Sequence, residues 1–136
     1  MANRRIVLVI RKDLELPVGL AMAQAAHLGD EWLRNRICNA RHPVDDMRVD
    51  LQTLFTPDEF EWMQSPTLSV LTVNTPEELA KIEAQAKMAK LPCHSWVDTV
   101  HSAVLDCYLP KVKIGIAIGP VEDDMVKPVT GKLPLY

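Results

Sequence analysis

The first third of the chain contains a buried strand followed by a long helix, and this unit constrains the fold most. The run Ile6–Ile10 is apolar and mostly β-branched, which is typical of a strand covered on both faces of a sheet. Pro17 and Gly19 then mark a turn, and the proline-free segment Leu20–Ile37 is rich in alanine and leucine. The stretch therefore predicts a strand, a turn and a first helix, as at the start of an α/β fold.

Helical spacing of 100° per residue divides the predicted helix into two faces. We expect a broad apolar arc to lie on the sheet, and it contains Ala21, Met22, Ala25, Ala26, Leu28, Gly29, Trp32, Leu33 and Ile37. Small residues on this arc, such as Gly29, would let the helix approach the sheet closely. The polar residues Gln24, His27, Glu31 and Arg34 lie opposite. His27 is therefore expected to point away from the core, either paired with Glu31 one turn later or simply solvated.

Two similar tetrapeptides predict the starts of two further helices. Residues 56–59 (TPDE) and 75–78 (TPEE) each place threonine at the N-cap, proline at the first helical position and glutamate at N3. The first helix is expected to run from Pro57 to about Met63, and the second to cover about fifteen residues. A short helical turn is predicted after Glu122, with Pro128 as its end.

Three more strands are predicted, at Leu68–Val73, Cys93–Asp98 and Val112–Ile118. Residues 99–111 are expected to form a long connection without a crossover helix, so one of the last two strands should be antiparallel. The order of elements predicts an α/β fold, arranged as a three-layer α/β/α sandwich around a mixed four-stranded sheet.

The length of 136 residues fits a single domain over residues 1–136, with a variable insert at about 38–66. No apolar run is long enough to span a bilayer, and the N-terminus carries no secretory signal. The three cysteines form no C-x-x-C pair, which favours a reducing cytoplasm over a disulfide framework. We therefore expect a cytoplasmic protein without membrane association. The sequence does not fix the oligomeric state, and a homodimer is compatible with it.

The charged residues are distributed unevenly, although the net charge is only -3. Every arginine lies between Arg4 and Arg48, and arginine forks suit phosphate groups. The aspartates and glutamates between them fit an ordinary mixed surface as well. The pattern thus permits a basic patch near the first strand and helix without requiring one.

Metal and nucleotide chemistry are not predicted. Cys93, His94, Asp98, His101 and Cys107 look at first like metal ligands, but no pair has the spacing of a zinc site. His94 and Asp98 are four strand residues apart, which separates them by roughly 13 Å, too far for one ion. Cys93 and His94 face opposite ways along the strand, so a thiol nucleophile is not expected either. The chain also lacks the glycine-rich phosphate-binding motifs, and no cofactor is predicted.

His27, Asp98 and Ser102 remain as candidates for hydrolytic chemistry. A carboxylate at a strand end, a hydroxyl four residues later and an imidazole from the first helix can together activate a water molecule. An ordinary loop-capping role for Asp98 explains the same pattern without any activity. The residues alone leave both interpretations open.

Both ends of the chain resemble the type II peptidyl-tRNA hydrolase family. Residues 6–14 (IVLVIRKDL) and 23–27 (AQAAH) are similar to the family's V-L-V-x-R-x-D-L strand and A-Q-x-x-H-A helix. Residues 115–120 (GIAIGP) and 129–133 (VTGKL) are similar to its C-terminal segments, and residues 77–92 fit its central helix. The resemblance covers most of the chain and implies the family's α/β fold.

The resemblance also implies an activity and a set of site residues. The family hydrolyses the ester between a peptide and the 3′-terminal ribose of tRNA without a bound metal. On the matching positions, Asp98 and His27 would orient or deprotonate water. Ser102 stands where the family has threonine in a D-A-G-R-T-Q segment and would support the substrate or the oxyanion. The expected substrate-binding residues are Arg11, Lys12, Gln24 and His101, with the cations near the N-terminus on phosphate.

Two segments depart from the family pattern. Where the family has G-K-G-K, residues 17–20 read PVGL, so both lysines are absent. The loss of a cation near a developing oxyanion costs roughly 2 to 4 kcal/mol, a hundredfold to a thousandfold in rate. His101 replaces the arginine of D-A-G-R-T-Q. Lys111 or Lys113 could reach the cleft from the longer loop and stand in for the missing charge, although no spacing argument places either one.

These departures leave two functions open. The first is a peptidyl-tRNA hydrolase-like esterase with a metal-independent water mechanism. The alternative is a catalytically silent relative that binds RNA, protein or a small ligand through the same cleft. The missing lysines favour the silent relative, whereas the retained His27, Asp98 and Ser102 hydroxyl favour the enzyme.

Overall fold

A computed structural model describes residues 3–39, 54–102 and 105–136, with the backbone alone at Asp58, His101 and Ser102. In chain order the elements are β1 (Arg4–Arg11), a 3-10 turn (Lys12–Leu14), α1 (Val18–Asn39), α2 (Pro57–Gln64), β2 (Leu68–Val73), α3 (Pro76–Met88), β3 (Cys93–Ser102), β4 (Cys107–Glu122) and α4 (Asp123–Thr130). Within these described ranges, no helix is both long enough and apolar enough to cross a membrane.

The strands form one mixed sheet in the order β2-β1-β4-β3. β1 pairs with β2 in parallel, and β4 pairs antiparallel with both β1 and β3. β1, β2 and β3 therefore run in one direction and β4 runs against them, which confirms the predicted α/β fold with one antiparallel strand. Gly115 of β4 pairs with Ile10 on one side and Trp96 on the other, so these residues lie in one row across the sheet.

β1 is buried on both faces, as its apolar run predicts. Ile6, Leu8 and Ile10 belong to a hydrophobic cluster that includes residues of α1 and α2. Val7 and Val9 belong to a second cluster with residues of α3 and α4. Successive side chains of a strand point to opposite faces, so the two clusters lie on opposite sides of the sheet. α1 and α3 therefore cover different faces.

The two threonine N-caps form as the tetrapeptides predict. Thr56 Oγ1 accepts from the Glu59 backbone N–H over 3.2 Å, and Thr75 Oγ1 accepts from that of Glu78 over 3.0 Å. The glutamates behave differently. Glu78 accepts from the Asn74 backbone N–H over 2.9 Å, next to the cap. Glu59 instead accepts from Arg36 over 2.6 Å, which links α2 to α1.

Several predicted boundaries are wrong. β3 continues to Ser102 and β4 begins at Cys107, so much of the predicted 99–111 connection is a hairpin. The segment contains residues with high strand propensity, such as Thr99, Val100 and Tyr108. Antiparallel pairing of Val100 with Leu109 and of His101 with Tyr108 extends the hairpin past the predicted boundaries. Pro128 lies inside α4 rather than at its end. Proline removes one N–H but permits the last turn, in which Thr130 Oγ1 donates to the Val126 carbonyl. α3 covers 13 residues, close to the predicted fifteen.

The buried face of α1 also differs from the predicted arc. The buried residues are Ala21, Gln24, Leu28 and Trp32. Gln24 is only 2% exposed, although the pattern placed it on the outer face, whereas Met22 is 69% exposed although it was placed on the inner face. The buried face of α1 is rotated relative to the predicted arc because β3, at the edge of the sheet, offers polar partners to Gln24. The pattern of the helix alone does not reveal these partners.

Two glycines provide a matched test of this packing. A Cβ at Gly115 would lie 2.3 Å from the Val9 carbonyl oxygen and 3.0 Å from Leu28, whereas a Cβ at Gly29 would meet nothing within 4 Å. Gly29 is therefore not a close-packing residue, contrary to the prediction. We expect Gly115→Ala to lower the free energy of unfolding by about 3 kcal/mol, since the strand backbone must move. Gly29→Ala should raise it by up to about 1 kcal/mol.

Urea denaturation followed by circular dichroism measures both effects. An unchanged midpoint for Gly115→Ala would show that β1 and β4 do not approach as closely as described.

Candidate active site

The site is built where β3 passes beside α1. Successive side chains of a strand alternate between the two faces of the sheet, and His94, Trp96 and Asp98 of β3 share the face that α1 covers. Trp96 packs against the cluster of α1, while Cys93 packs against that of α3. Asp98 faces α1 as well, because it accepts a hydrogen bond from Gln24.

Gln24 links two side chains of β3. Its Nε2 donates to Asp98 Oδ2 over 3.0 Å, and its Oε1 accepts from the Trp96 indole Nε1–H over 2.6 Å. The backbone N–H of Thr99 donates to the other Asp98 oxygen, Oδ1, over 2.8 Å. Both ends of the buried amide are thus satisfied inside the protein. This burial argues against direct contact between Gln24 and a substrate.

The surroundings of Asp98 favour its ionised form. The hydrogen bond from Gln24 is the main cause that holds the pKa of this carboxyl below its usual range, and the Thr99 N–H and the charge of His27 act in the same direction. Partial burial opposes them. Asp98 is therefore a carboxylate at neutral pH and an intrinsically weak proton acceptor.

His27 is oriented by an aromatic contact. Its ring stacks on the Trp96 indole with centroids 4.5 Å apart and an interplanar angle of 18°. The half-buried His27 is near enough to Asp98 for its charge to act on that carboxylate. Glu31, which the sequence offered as a partner of His27, instead accepts from Arg34 over 2.5 Å and from Asn35 over 3.2 Å. Stacking, rather than a helix ion pair, fixes the imidazole plane.

Arg34 completes this arrangement. Its guanidinium carbon lies 5.2 Å from the centre of the Trp96 ring, within the range of a cation–π contact. Sequence reasoning assigned neither Arg34 nor Trp96 to the site. The signals that could have found them were the alternation that puts Trp96 on the face of Asp98 and the seven-residue spacing that puts Arg34 on the face of His27.

Arg11 and Lys12 lie at the carboxyl end of β1, but the structure does not bring them against Asp98. Alternation directs Arg11 to the face of Val7 and Val9. Its guanidinium donates to both carboxylate oxygens of Asp13, over 3.1 Å and 2.7 Å. Lys12 is exposed in the 3-10 turn.

The described arginines do not form an unpaired basic patch. Arg4 pairs with Glu61, Arg5 with Asp123, Arg34 with Asp30 and Glu31, and Arg36 with Glu59. Arg41 and Arg48 lie outside the described residues. A mixed surface is therefore the better interpretation of the arginines that are described.

Ser102 and His101 belong to β3 by their backbone, and Ser102 pairs with Cys107. Their side chains lie outside the described part of the chain, so their roles remain predictions. Four residues of extended strand separate the Cα atoms of Asp98 and Ser102 by roughly 13 Å. A direct bond between the two side chains is therefore not expected, and any shared role must pass through a bound substrate.

Lys113 does not replace the missing family lysine. Its Nζ donates to Glu83 Oε2 over 2.8 Å, on the face covered by α3.

Cys93 lies near this pair, and burial, the largest cause, raises the pKa of its thiol to about 11. Such a thiol is protonated at neutral pH, in agreement with an inert cysteine. Among the side chains that the structure describes, no three of His, Cys, Asp or Glu converge as a metal site would require.

The fold is similar to that of a solved protein of unknown function from Agrobacterium tumefaciens. The TM-score is 0.58 with 16% sequence identity, and the match covers 100% of this chain and 99% of the other. At this identity the likeness shows the fold alone.

Sequence comparison is more specific. A protein called peptidyl-tRNA hydrolase from Methanocaldococcus jannaschii is 29% identical over 133 residues, which covers 96% of this chain and 98% of the relative. A protein of the same name from Pyrobaculum aerophilum is also 29% identical over 133 residues, with 97% of each chain covered. The family model for peptidyl-tRNA hydrolase PTH2 matches residues 4–136. The resemblance found in the sequence is thereby confirmed, and the chain belongs to the peptidyl-tRNA hydrolase PTH2 family.

Proposed function

We propose that the protein hydrolyses peptidyl-tRNA, with a water molecule activated by protein side chains and no metal. The observation that carries this proposal is the ionised Asp98, held by Gln24 beside the stacked His27 in a chain of the PTH2 family. Both relatives described above carry the name peptidyl-tRNA hydrolase. The free cysteines Cys38, Cys93 and Cys107 and a tRNA substrate both favour a cytoplasmic location.

The reaction needs a nucleophile, a stabilised oxyanion and a proton for the leaving group. A water oxygen attacks the ester carbonyl carbon, and the bond between that carbon and the 3′ ribose oxygen breaks. The water gives up both protons: one goes to the ribose oxygen, so the tRNA leaves with a free 3′ hydroxyl, and the other is released to solvent as the peptide acid ionises to a carboxylate. No oxidant, reductant or further group takes part.

The two site residues are assigned different parts of this reaction. Asp98 has a lowered pKa and both of its oxygens accept hydrogen bonds, so it is better suited to orient water and stabilise positive charge than to hold a proton. His27 carries the other candidate base of the pair, and imidazole is the side chain most often used for general acid–base catalysis. His27 therefore receives the water proton, and Asp98 stabilises the imidazolium that results.

The other expected residues are assigned to the substrate. Ser102 is proposed to donate a hydrogen bond to the substrate or the oxyanion, and His101 to contact the tRNA beside it. Arg11 and the exposed Lys12 are proposed to contact phosphates at the carboxyl end of β1. Gln24 acts on Asp98 instead of on the substrate, because its amide is already bonded at both ends.

The two positions that lack the family lysines are not equivalent in the structure. Leu20 lies one turn before Gln24 and two turns before His27, on the helix face that borders the site. Val18 lies on another side of α1, where it lines an apolar groove with Met22 and Tyr136. A cation at position 20 would approach the reacting ester, whereas one at position 18 would not.

The silent relative remains the alternative, and the apolar groove favours it. The groove has a volume of about 380 Å³ and is lined by apolar side chains, with Val18 where the family has lysine. A chain that has exchanged a cation for apolar surface is suited to bind a ligand that it does not cleave. The rate of peptide release decides between the two functions.

We expect Asp98→Asn to slow single-turnover peptide release from peptidyl-tRNA by at least roughly a hundredfold, because the substitution removes the charge but keeps the shape. Asp124→Asn, at an exposed position of α4, is the matched control and should leave the rate unchanged. Addition of a chelator should also have no effect. Wild-type release no faster than uncatalysed hydrolysis would establish the silent relative.

The pKa of Asp98 gives a second expectation. Its folded-state value is lowered, so the stability it contributes is fully present above the unfolded value of about 3.9 and is lost as pH falls through the folded value. Carbon-13 NMR of the labelled carboxyl should show a midpoint below that of an exposed aspartate. A midpoint at or above the ordinary value would contradict the assigned role of Asp98.

We expect Leu20→Lys to raise kcat/KM by at least about tenfold, a part of the hundredfold or more that a cation beside an oxyanion can give. Its aliphatic stem can keep the contacts of the partly buried leucine while the ammonium reaches water. Val18→Lys is the matched control and should change the rate less than twofold. Equal effects at both positions would mean that general charge attraction, and not a local cation, limits the reaction.

A further inference from the structure

Trp96 stacks on His27 and is linked to Asp98 through Gln24, but it has no part in the proton transfers. Its indole N–H donates to Gln24 Oε1 over 2.6 Å, and the same amide donates from Nε2 to Asp98 Oδ2 over 3.0 Å. An indole N–H can only donate, and an ionised carboxylate can only accept. The two neighbours therefore permit a single orientation of the Gln24 amide, with oxygen towards Trp96 and nitrogen towards Asp98.

Burial of Gln24 makes this orientation of its amide strongly preferred in energy. Gln24 is 2% exposed, so water does not replace a lost partner easily. Without the indole donor, the amide oxygen would be left unsatisfied in the protein interior, which is costly. Rotation of the amide would then turn its oxygen towards the Asp98 carboxylate, where two acceptors repel each other. The bond to Asp98 thus depends on the bond to Trp96.

We infer that Trp96 is a positioning residue for the proposed hydrolysis: through the Gln24 amide it keeps an N–H donor on Asp98, and through stacking it holds the plane of His27. The kinetic part of this inference rests on the proposed function, whereas the fixed amide does not. Stacking alone would need only an aromatic ring. The indole N–H is what connects the ring to the carboxylate.

Trp96→Phe tests the N–H separately from the ring, because phenylalanine keeps an aromatic face for His27 but has no donor. Trp62→Phe is the matched control, since the Trp62 indole N–H also makes one internal bond, to the Thr67 carbonyl over 3.1 Å, on elements away from Asp98. Both variants lose one buried indole donor. Thermal unfolding should show similar, modest losses of stability for the two.

The expected kinetic result for Trp96→Phe is a fall in kcat of roughly tenfold with KM within about twofold of wild type. The pKa of Asp98 should rise towards its ordinary value, because the carboxylate loses the Gln24 donor. Trp62→Phe should change neither kcat nor the pKa of Asp98. Equal effects of the two variants would overturn the inference.

A double-mutant cycle separates positioning from simple packing. Gln24→Met keeps a long side chain at position 24 but removes both hydrogen bonds of the relay. In that background Trp96→Phe should cause no further loss of kcat, since no amide is left to orient. If Trp96→Phe costs the same factor with and without Gln24, the tryptophan acts by packing and the inference is wrong.

Carbon-13 NMR of the Asp98 carboxyl gives a readout that needs no activity. Its midpoint should be higher in Trp96→Phe than in wild type and unchanged in Trp62→Phe. An identical midpoint in Trp96→Phe and wild type would overturn the inference whatever the enzyme does. If wild type fails to cleave peptidyl-tRNA while the midpoint moves as expected, the proposed function fails and the relay stands.

Discussion

The pairing of β4 with both β1 and β3 is the constraint on which the site depends. β4 runs against its two neighbours, so β1 and β3 point the same way and their carboxyl ends reach the same edge of the sheet. α1 follows β1 and packs on the sheet face that carries Ile6, Leu8 and Ile10. On this face it meets Asp98 and Trp96 of β3. Residues more than seventy positions apart in sequence thus meet because one strand lies between two others. The close approach at Gly115 makes this arrangement possible.

The buried amide of Gln24 connects the two side chains of β3 that form the site. Gln24 donates to a carboxylate and accepts from an indole, and neither neighbour can exchange its role with the other. The result is an ionised Asp98 beside a stacked His27. Buried polar groups are costly unless every donor and acceptor is paired, so the network is specific as well as stabilising. The same pairing explains why the polar stripe of α1 is partly internal.

Electrostatics of the described surface distinguish this chain from the family pattern. The described arginines have carboxylate partners, and Lys113 is held by Glu83 on the other face. At the start of α1, leucine and valine occupy the positions of the family lysines. Arg34 lies over the Trp96 ring and places a positive charge beside the aromatic stack. The protein thus keeps the Asp98 carboxylate and the His27 imidazole, but its positive charges are distributed differently from the family pattern.

The sequence by itself determined the α/β class, the mixed sheet with one antiparallel strand, both threonine N-caps and the family. These features follow from local patterns: an apolar run for β1, capping chemistry at Thr56 and Thr75, and alternation that put Trp96 and Asp98 on one face. Only the tertiary structure decided that Gln24 is buried, that His27 stacks on Trp96 instead of pairing with Glu31, and that residues after Asp98 continue as a hairpin. Helical periodicity shows which residues of a helix are polar, but it carries no information about a hydrogen-bond partner on a distant strand. That partner makes the burial of a polar amide favourable.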